Sequence, residues 1–239
     1  MKEQLYTIPV NDAFQEASEC PLCAMRKTLE DNAITYTMGP SYMEDDVRAQ
    51  TDELGFCMHH LKLLYENQNR LGLALILDTH LGKINHDLEQ LMKSKPKISS
   101  PSLFKSKTST SLIKDYIDRV NSSCFVCDKI NNTFQHYIVT VFYLYKSDKS
   151  FVDKFMNSKG FCISHYELLY EQAPKHLHRN QLDDFINELN ILFLDNMKRV
   201  KEDLDWFIDK FDYRYADEPW KNSKDAIQRT MLKTNGVII

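Results

Sequence analysis

Six cysteines and two histidines recur in two matching motifs. In the first motif, Cys20-Pro-Leu-Cys23 is followed by Gly55-Phe-Cys-Met-His-His60, with 33 residues between Cys23 and Cys57. In the second, Cys124-Phe-Val-Cys127 is followed by Gly160-Phe-Cys-Ile-Ser-His165, with 34 residues between Cys127 and Cys162. Every cysteine of the chain belongs to this pattern. The spacing therefore indicates metal chemistry more directly than the even number of thiols indicates disulfides.

Zinc is bound by thiolates and imidazoles in a tetrahedron, commonly in pairs separated by two residues. If a helix begins at the second cysteine pair, side chains at i and i+3 project from one face of its first turn. His59 has no counterpart, because Ser164 holds its place, and the repeat selects His60 instead. Combining the pairs within each half predicts two Cys3His zinc sites per chain: Cys20, Cys23, Cys57 and His60, and then Cys124, Cys127, Cys162 and His165.

Other uses of these thiols stay open. Soft thiolates also suit iron–sulfur clusters or copper(I). A thioredoxin-like use of Cys-x-x-Cys requires a βαβ context, which the sequence lacks. Four protein ligands would close the coordination shell, and closed zinc sites are usually structural, whereas catalytic zinc keeps a position for water. The motif therefore favours structural zinc and identifies no catalytic residue.

Helical periodicity runs through most of the chain and predicts an all-α fold made of two tandem helical repeats and a long C-terminal helix. The clearest apolar stripe, with steps of three and four residues, extends from Leu182 to Phe211. A second stripe predicts a helix over Leu73–Met92. Further helices are predicted at Leu22–Thr37, Tyr42–Leu54, Cys57–Glu66, Leu112–Val120, Val126–Tyr145, Phe151–Asn157 and Cys162–Glu171. The β-branched run Ile138–Val141 could form a strand, but its place in the repeat favours a helix.

The repeat suggests four regions. Residues 1–92 form a first metal-binding repeat and residues 111–211 a second. Residues 93–110 contain five lysines, two prolines and six serines without periodicity, which is typical of a linker. Residues 212–239 form a tail that has no copy in the first half.

Composition excludes several classes of function. The chain of 239 residues has a net charge of −4, with 43% hydrophobic and 27% charged residues. An acidic balance argues against general binding to nucleic acid or to an anionic membrane. No signal peptide and no apolar run of about 20 residues is visible, so a cytoplasmic location without membrane insertion is expected.

The tail concentrates aromatic and charged residues in Phe211-Asp-Tyr-Arg-Tyr-Ala-Asp-Glu-Pro-Trp220. An arginine here could grip an anionic group through two hydrogen bonds. The alternative, which we favour, is that the aromatic rings pack the tail onto the helices while the charges pair with each other. The candidate ligand-binding residues are Tyr213, Arg214, Tyr215, Trp220 and Arg229.

The doubled CxxC…GFCxxH units and this FDYRYxDEPW tail resemble an uncharacterised bacterial family of domains of unknown function, over nearly the whole chain. The resemblance implies a cytoplasmic, metal-binding protein with no established activity. One departure is Lys221, which follows Trp220 where the family pattern has glycine.

Three functions compete on this reading. The first is a zinc-stabilised scaffold that binds or regulates an unknown protein or small-molecule partner. The second is a thiol-based redox or metal sensor, because cysteines at helix starts are reactive when they hold no metal. The third is an enzyme that uses the arginine and aromatic residues of the tail. Two closed metal sites and the absence of another catalytic motif favour the scaffold.

Overall fold

The structure is a computed structural model that describes residues 6–93 and 111–238. Within these residues the chain forms eleven α-helices and no strand, which confirms the all-α prediction. None of the helices in this described part is both long and apolar enough to cross a membrane. The helices are α1 Thr7–Gln15, α2 Pro21–Met38, α3 Asp45–Leu54, α4 Met58–Glu66, α5 Arg70–Lys93, α6 Ser111–Ser122, α7 Phe125–Ser147, α8 Lys149–Asn157, α9 Ile163–His176, α10 Asn180–Asp209 and α11 Ala226–Asn235.

The predicted helices differ from the observed ones mainly at their ends. The β-branched run Ile138–Val141 lies inside α7. The helix predicted over Tyr42–Leu54 begins only at Asp45, after a 3-10 turn at Pro40–Met43. Helix α1 was not predicted, because its apolar residues are few and no side chain caps its start. The predicted linker, residues 93–110, lies outside the described residues except for Lys93, which ends α5.

The chain divides into two compact units that do not follow the predicted halves. Unit 1 contains residues 1–28 and 133–239, and unit 2 contains residues 29–132. Both boundaries fall inside helices, one in α2 and one in α7. The units differ from the sequence halves because ligand pairs from different halves meet in each of them, as the metal clusters below show.

The core of unit 2 is mainly aliphatic. Buried residues of α2, including Ile34 and Met38, pack with Leu64 of α4 and Leu73 of α5. Phe125, at the start of α7, belongs to the same cluster. Burying an aliphatic or aromatic side chain contributes about 1.5–3 kcal/mol, so these contacts hold the helices on which one set of metal ligands is mounted.

The core of unit 1 is aromatic. The ring of Phe155 lies 5.4 Å from that of Phe161 and 5.5 Å from that of Phe185, and all three side chains are fully buried. Phe14 of α1 stacks against Phe155 at 5.9 Å. Phe161 comes directly before Cys162, so this aromatic cluster anchors the loop that carries a metal ligand.

Helix α10 leaves the core before it ends. The predicted apolar stripe is buried at Phe185, Leu189, Leu192 and Val200. Further along the same stripe, the side chain of Ile208 is 60% exposed and Phe211 is 75% exposed. The periodicity therefore predicts the helix correctly, but only its first two thirds pack as core.

Glycines set the turns in front of both Gly-Phe-Cys segments. Gly55 has a φ of 56° and Gly160 has a φ of 74°, in the left-handed region that glycine adopts without steric cost. A Cβ atom at Gly160 would lie 3.1 Å from the carbonyl oxygen of Leu192. The turn thus depends on glycine both for its backbone angle and for its close approach to α10.

We expect Gly160→Ala to lower the free energy of unfolding by roughly 1–2 kcal/mol, because alanine is strained at positive φ. Gly82→Ala is the matched control: it lies inside α5 with nothing within 4 Å of an added Cβ. This second change should raise stability by about 0.5–1 kcal/mol. Urea unfolding followed by circular dichroism measures both. Equal effects of the two substitutions would contradict the role of the left-handed turn.

Candidate metal centres

All four ligand pairs lie at the starts of helices. The first residue of each pair immediately precedes a helix, and its carbonyl oxygen accepts the first hydrogen bond of that helix, at 2.9–3.1 Å. The second residue of each pair lies three positions later, in the first turn. A helix N-terminus carries a partial positive charge, which favours thiolate over thiol. The pairs are Cys20 and Cys23 at α2, Cys57 and His60 at α4, Cys124 and Cys127 at α7, and Cys162 and His165 at α9.

Site A, in unit 1, joins the start of α2 to the start of α9 and consists of Cys20, Cys23, Cys162 and His165. The Nδ1 atom of His165 lies 3.4 Å from the sulfur of Cys20 and 3.3 Å from the sulfurs of Cys23 and Cys162. The sulfurs of Cys23 and Cys162 are 3.6 Å apart. All three cysteines are at most 5% exposed.

Site B, in unit 2, joins the start of α4 to the start of α7 and consists of Cys57, His60, Cys124 and Cys127. The Nδ1 atom of His60 lies 3.3 Å from each of the three sulfurs. The sulfurs of Cys57 and Cys127 are 3.9 Å apart. Cys124 and His60 are buried, whereas Cys57 and Cys127 are half-buried.

These distances match the edges of a tetrahedron around one ion. Zinc–sulfur bonds of about 2.3 Å and zinc–nitrogen bonds of about 2.0–2.1 Å place tetrahedral ligands roughly 3.8 Å apart between sulfurs and roughly 3.6 Å apart between sulfur and nitrogen. A disulfide would bring two sulfurs to about 2.05 Å, and all six cysteines are free. An iron–sulfur cluster would need more room, because its irons and bridging sulfides stand between the thiolates. Each cluster can therefore hold a single metal ion.

The structure combines the ligand pairs differently from the sequence prediction. All eight predicted ligands lie in the two clusters, but the CxxC pair of each half meets the CxxH pair of the other half, so the predicted grouping within halves is wrong. Helix lengths explain the difference. Helix α2, with 18 residues, rises about 27 Å from Cys20, whereas α3, with 10 residues, spans only about 15 Å. Helix α3 by itself is therefore too short to lead the chain back along the whole length of α2.

The ligands of site A differ in their pKa values because they lie so close together. Hydrogen bonds from the thiols of Cys20 and Cys23 hold the pKa of Cys162 far below its usual range. The pKa of Cys23 is raised, because its thiol donates to Cys162 and because it is buried beside other sulfurs. Burial lowers the pKa of His165, but hydrogen bonds with Cys162 and Cys20 outweigh it and raise the pKa to about 9. A divalent cation would compete with these protons for the sulfurs and favour their ionised form.

The thiols of site B also differ in their pKa values. Burial raises the pKa of Cys57, but hydrogen bonds from the backbone of His60 and from the thiols of Cys124 and Cys127 lower it by more. The net shift of this pKa is downward. Burial and the neighbouring sulfurs raise the pKa of Cys127 to about 12. The pKa values of Cys57 and Cys127 are therefore shifted in opposite directions.

A buried lysine of α11 holds the ligand loops of site A together, and sequence reasoning missed it. The ammonium of Lys233 donates 2.6 Å to the carbonyl oxygen of Glu19, directly before Cys20, and also donates to the carbonyl oxygen of Lys159. The residue is only 1% exposed, and burial lowers the pKa of this lysine. Three thiolates and a neutral imidazole around a divalent cation leave one negative charge unbalanced, and Lys233 provides a positive charge beside it.

The two site histidines have different neighbours. The Nε2 atom of His60 lies 3.2 Å from the Oε1 atom of Glu30, an α2 residue. The ring of His165 lies instead 5.6 Å from the ring of Phe134, an α7 residue. Glu30 and Phe134 occupy corresponding positions, each ten residues after the first cysteine of its CxxC pair. A carboxylate bonded to a metal-ligating histidine orients the ring and makes it a more basic ligand.

The two arginine candidates of the tail form ion pairs with acidic residues near them in the sequence or on α10. The guanidinium of Arg229 is only 9% exposed and pairs with Asp203 at 2.7 Å and Asp225 at 2.8 Å. Arg214 is exposed and pairs with Asp212 at 2.7 Å. A groove of about 580 Å³ in unit 1 includes Arg229 in its lining but none of the other four candidates.

The aromatic candidates pack the tail onto the end of α10. The ring of Trp220 lies 5.8 Å from that of Phe207, and the ring of Tyr215 lies 5.6 Å from that of Trp206. Tyr213, in contrast, is 88% exposed. Lys221 has a φ of 52°, a conformation that glycine adopts without strain.

We expect Arg229→Ala to lower the free energy of unfolding by on the order of 3 kcal/mol, because it leaves Asp203 largely buried without its partner. Arg214→Ala, the matched control in the same tail, should leave stability unchanged, since its ion pair is exposed to solvent. Thermal and urea unfolding distinguish the two. If Arg229 serves to bind a ligand and does not stabilise the fold, the Arg229→Ala variant would be as stable as the parent, which would contradict this prediction.

Comparison with known proteins assigns the chain to a family without assigning it an activity. No curated protein and no solved structure matches it. One family model matches over residues 1–239 and is described as a family of unknown function, DUF6062. Because that match covers the whole length, the chain belongs to the DUF6062 family.

Proposed function

We propose that this chain is a zinc protein in which both ions are structural, and that the zinc-held helices form a scaffold for a protein or small-molecule partner. The observation that carries the proposal is the arrangement of the ligands: each cluster joins two helix starts that are far apart in the sequence. Ligands that belong to different helices and lie in contact are 139–145 residues apart in the sequence at site A. At site B they are 64–70 residues apart.

The donor set favours zinc. Three thiolates and one imidazole in a tetrahedron form a typical structural zinc site, and each shell is completed by protein ligands alone. Copper(I) also accepts soft thiolates, but it carries a single positive charge. It would balance fewer of the thiolate charges that site A gathers beside only one buried lysine, Lys233.

Each ion would contribute strongly to stability. Structural zinc binds zinc-finger peptides with about 10–16 kcal/mol, which is comparable with the roughly 5–15 kcal/mol that stabilises a typical domain. An ion that joins distant segments also offsets the entropy of closing a long loop. Zinc would therefore hold the start of α2 next to the start of α9, and the start of α4 next to the start of α7.

We expect the purified chain to carry two zinc ions, and we expect double variants to reveal how the ligands are grouped. Cys20→Ser combined with Cys162→Ser removes two ligands of one site and should leave one zinc per chain. Cys20→Ser combined with Cys57→Ser removes one ligand from each site and should leave neither ion tightly bound. Native mass spectrometry after treatment with a moderate chelator counts the ions. Grouping within the sequence halves would give the reverse result for the two double variants.

We also expect removal of the metal ions to destabilise the fold. Stripping both ions with a strong chelator should lower the melting temperature and reduce the helical signal in circular dichroism, because no ion would then join the two helix starts of each cluster. Added zinc should restore both. A metal-free chain with an unchanged melting temperature would overturn the structural role of the ions.

A further inference from the structure

Site B has additional metal-binding side chains directly beside it. The Oε1 atom of Glu30 lies 2.8 Å from Nε2 of His59 and 3.2 Å from Nε2 of His60. These three groups offer ligand atoms that all lie within 4.8 Å of one another. The side chain of His59 is 63% exposed and that of Glu30 is 18% exposed, so an ion arriving from solvent can reach them.

The imidazole of His60 separates these outer groups from the sulfur cluster. Its Nδ1 atom faces the three sulfurs at 3.3 Å, and its Nε2 atom faces Glu30. Two imidazole nitrogens and one carboxylate oxygen are all ligands that zinc accepts, and a site with three protein ligands keeps a position open for exchange. The inner cluster is closed by comparison.

Site A lacks such an outer set at the corresponding positions. Phe134 replaces Glu30, and Ser164 replaces His59. The guanidinium of Arg26 lies 5.5 Å from the ring of Phe134, so this side of site A carries a cation instead of a carboxylate. A positive charge and an aromatic ring discourage a metal ion, whereas Glu30 attracts one.

The sulfurs of site B are also more accessible to solvent than those of site A. Cys57 and Cys127 of site B are half-buried, while Cys20, Cys23 and Cys162 of site A are buried. Helix α11 also lies against site A: a Cβ atom added at Gly236 would be 3.9 Å from the sulfur of Cys23. A competing ligand can therefore approach the sulfurs of site B more easily than those of site A.

We propose that Glu30, His59 and Nε2 of His60 form an outer metal-binding site through which zinc enters and leaves site B, while site A retains its ion. This inference rests on the proposed function, in which both sites hold zinc. On release, each bond that breaks between zinc and a sulfur or Nδ1 of His60 is replaced by a bond to an oxygen or nitrogen of the outer set or of the acceptor. When zinc passes from Nδ1 to Nε2 of His60, the proton of Nε2 is lost to solvent and the freed Nδ1 takes one up. Zinc remains divalent throughout, and each freed thiolate takes up a proton from solvent, so no oxidant or reductant is required.

The test is the rate of zinc release from the doubly loaded chain to an excess of the chromophoric chelator 4-(2-pyridylazo)resorcinol. We expect two phases of one zinc each, with the fast phase missing in Cys57→Ser and the slow phase missing in Cys162→Ser. His59→Ser introduces the residue found at the corresponding position of site A. It should slow both release from site B and loading of site B several-fold and equally, and leave the affinity unchanged, because only the route is altered.

His86→Ser, which removes another exposed histidine of unit 2, is the control and should change neither phase. Glu30→Gln tests whether this carboxylate is a ligand of the outer site or only orients His60. If it only orients His60, its loss would weaken zinc binding at site B by about 10–100-fold and accelerate release. If it is a ligand of the outer site, its loss slows release. Because His59 is exposed, its variant should keep the parent circular dichroism spectrum.

Several results would overturn the inference while leaving the proposed function intact. These are a single release phase for both ions, a fast phase that belongs to site A, or a His59→Ser variant that releases zinc as fast as the parent or faster. Accelerated release from Glu30→Gln would assign that residue to supporting His60 alone. A chain that binds no zinc at all would instead overturn the proposed function, and this inference with it.

Discussion

The structure depends on bringing negatively charged sulfur atoms together at the starts of helices. Each cluster contains three sulfurs within 4.8 Å of one another, an arrangement that is repulsive once more than one of them ionises. Two features reduce this cost. Two helix N-termini point their positive ends at each cluster, and the four ligand atoms surround a space that suits one divalent cation. The rest of the fold positions these helix starts.

The same ligand chemistry has different surroundings at the two sites. Site A lies beside Lys233, and Glu19 next to it faces Arg199 as well as Lys233, so positive charge collects behind that cluster. Site B has Glu30 behind its histidine instead. A cation beside a cluster with excess negative charge favours retention of the whole unit, while a carboxylate offers an arriving metal another ligand. The difference lies in the neighbours of the ligands and not in the ligands themselves.

The sequence predicts the ligands far better than it predicts their partners. Spacing identifies all eight, because an N-cap position and the third residue of a helix always share one face, and this local rule holds at α2, α4, α7 and α9. Grouping is a long-range property. The gaps of 33 and 34 residues fit either pairing equally well, and only the lengths of the intervening helices decide between them. Lys233 was unpredictable for a similar reason, since it approaches Glu19 from 214 residues away.

The crossed grouping has a consequence for how the chain can fold. Neither half of the sequence contains a complete ligand set, so no ion can be fully bound until residues from both halves are present and their helix starts have met. In site A this requires contacts over about 140 residues, and such non-local contacts form slowly because the loop must close before they contribute stability. A partial set of two ligands offers a metal ion fewer bonds than the complete set of four. The two motifs therefore form one interdependent pair, and a metal ion bound there would stabilise the complete chain instead of either half alone.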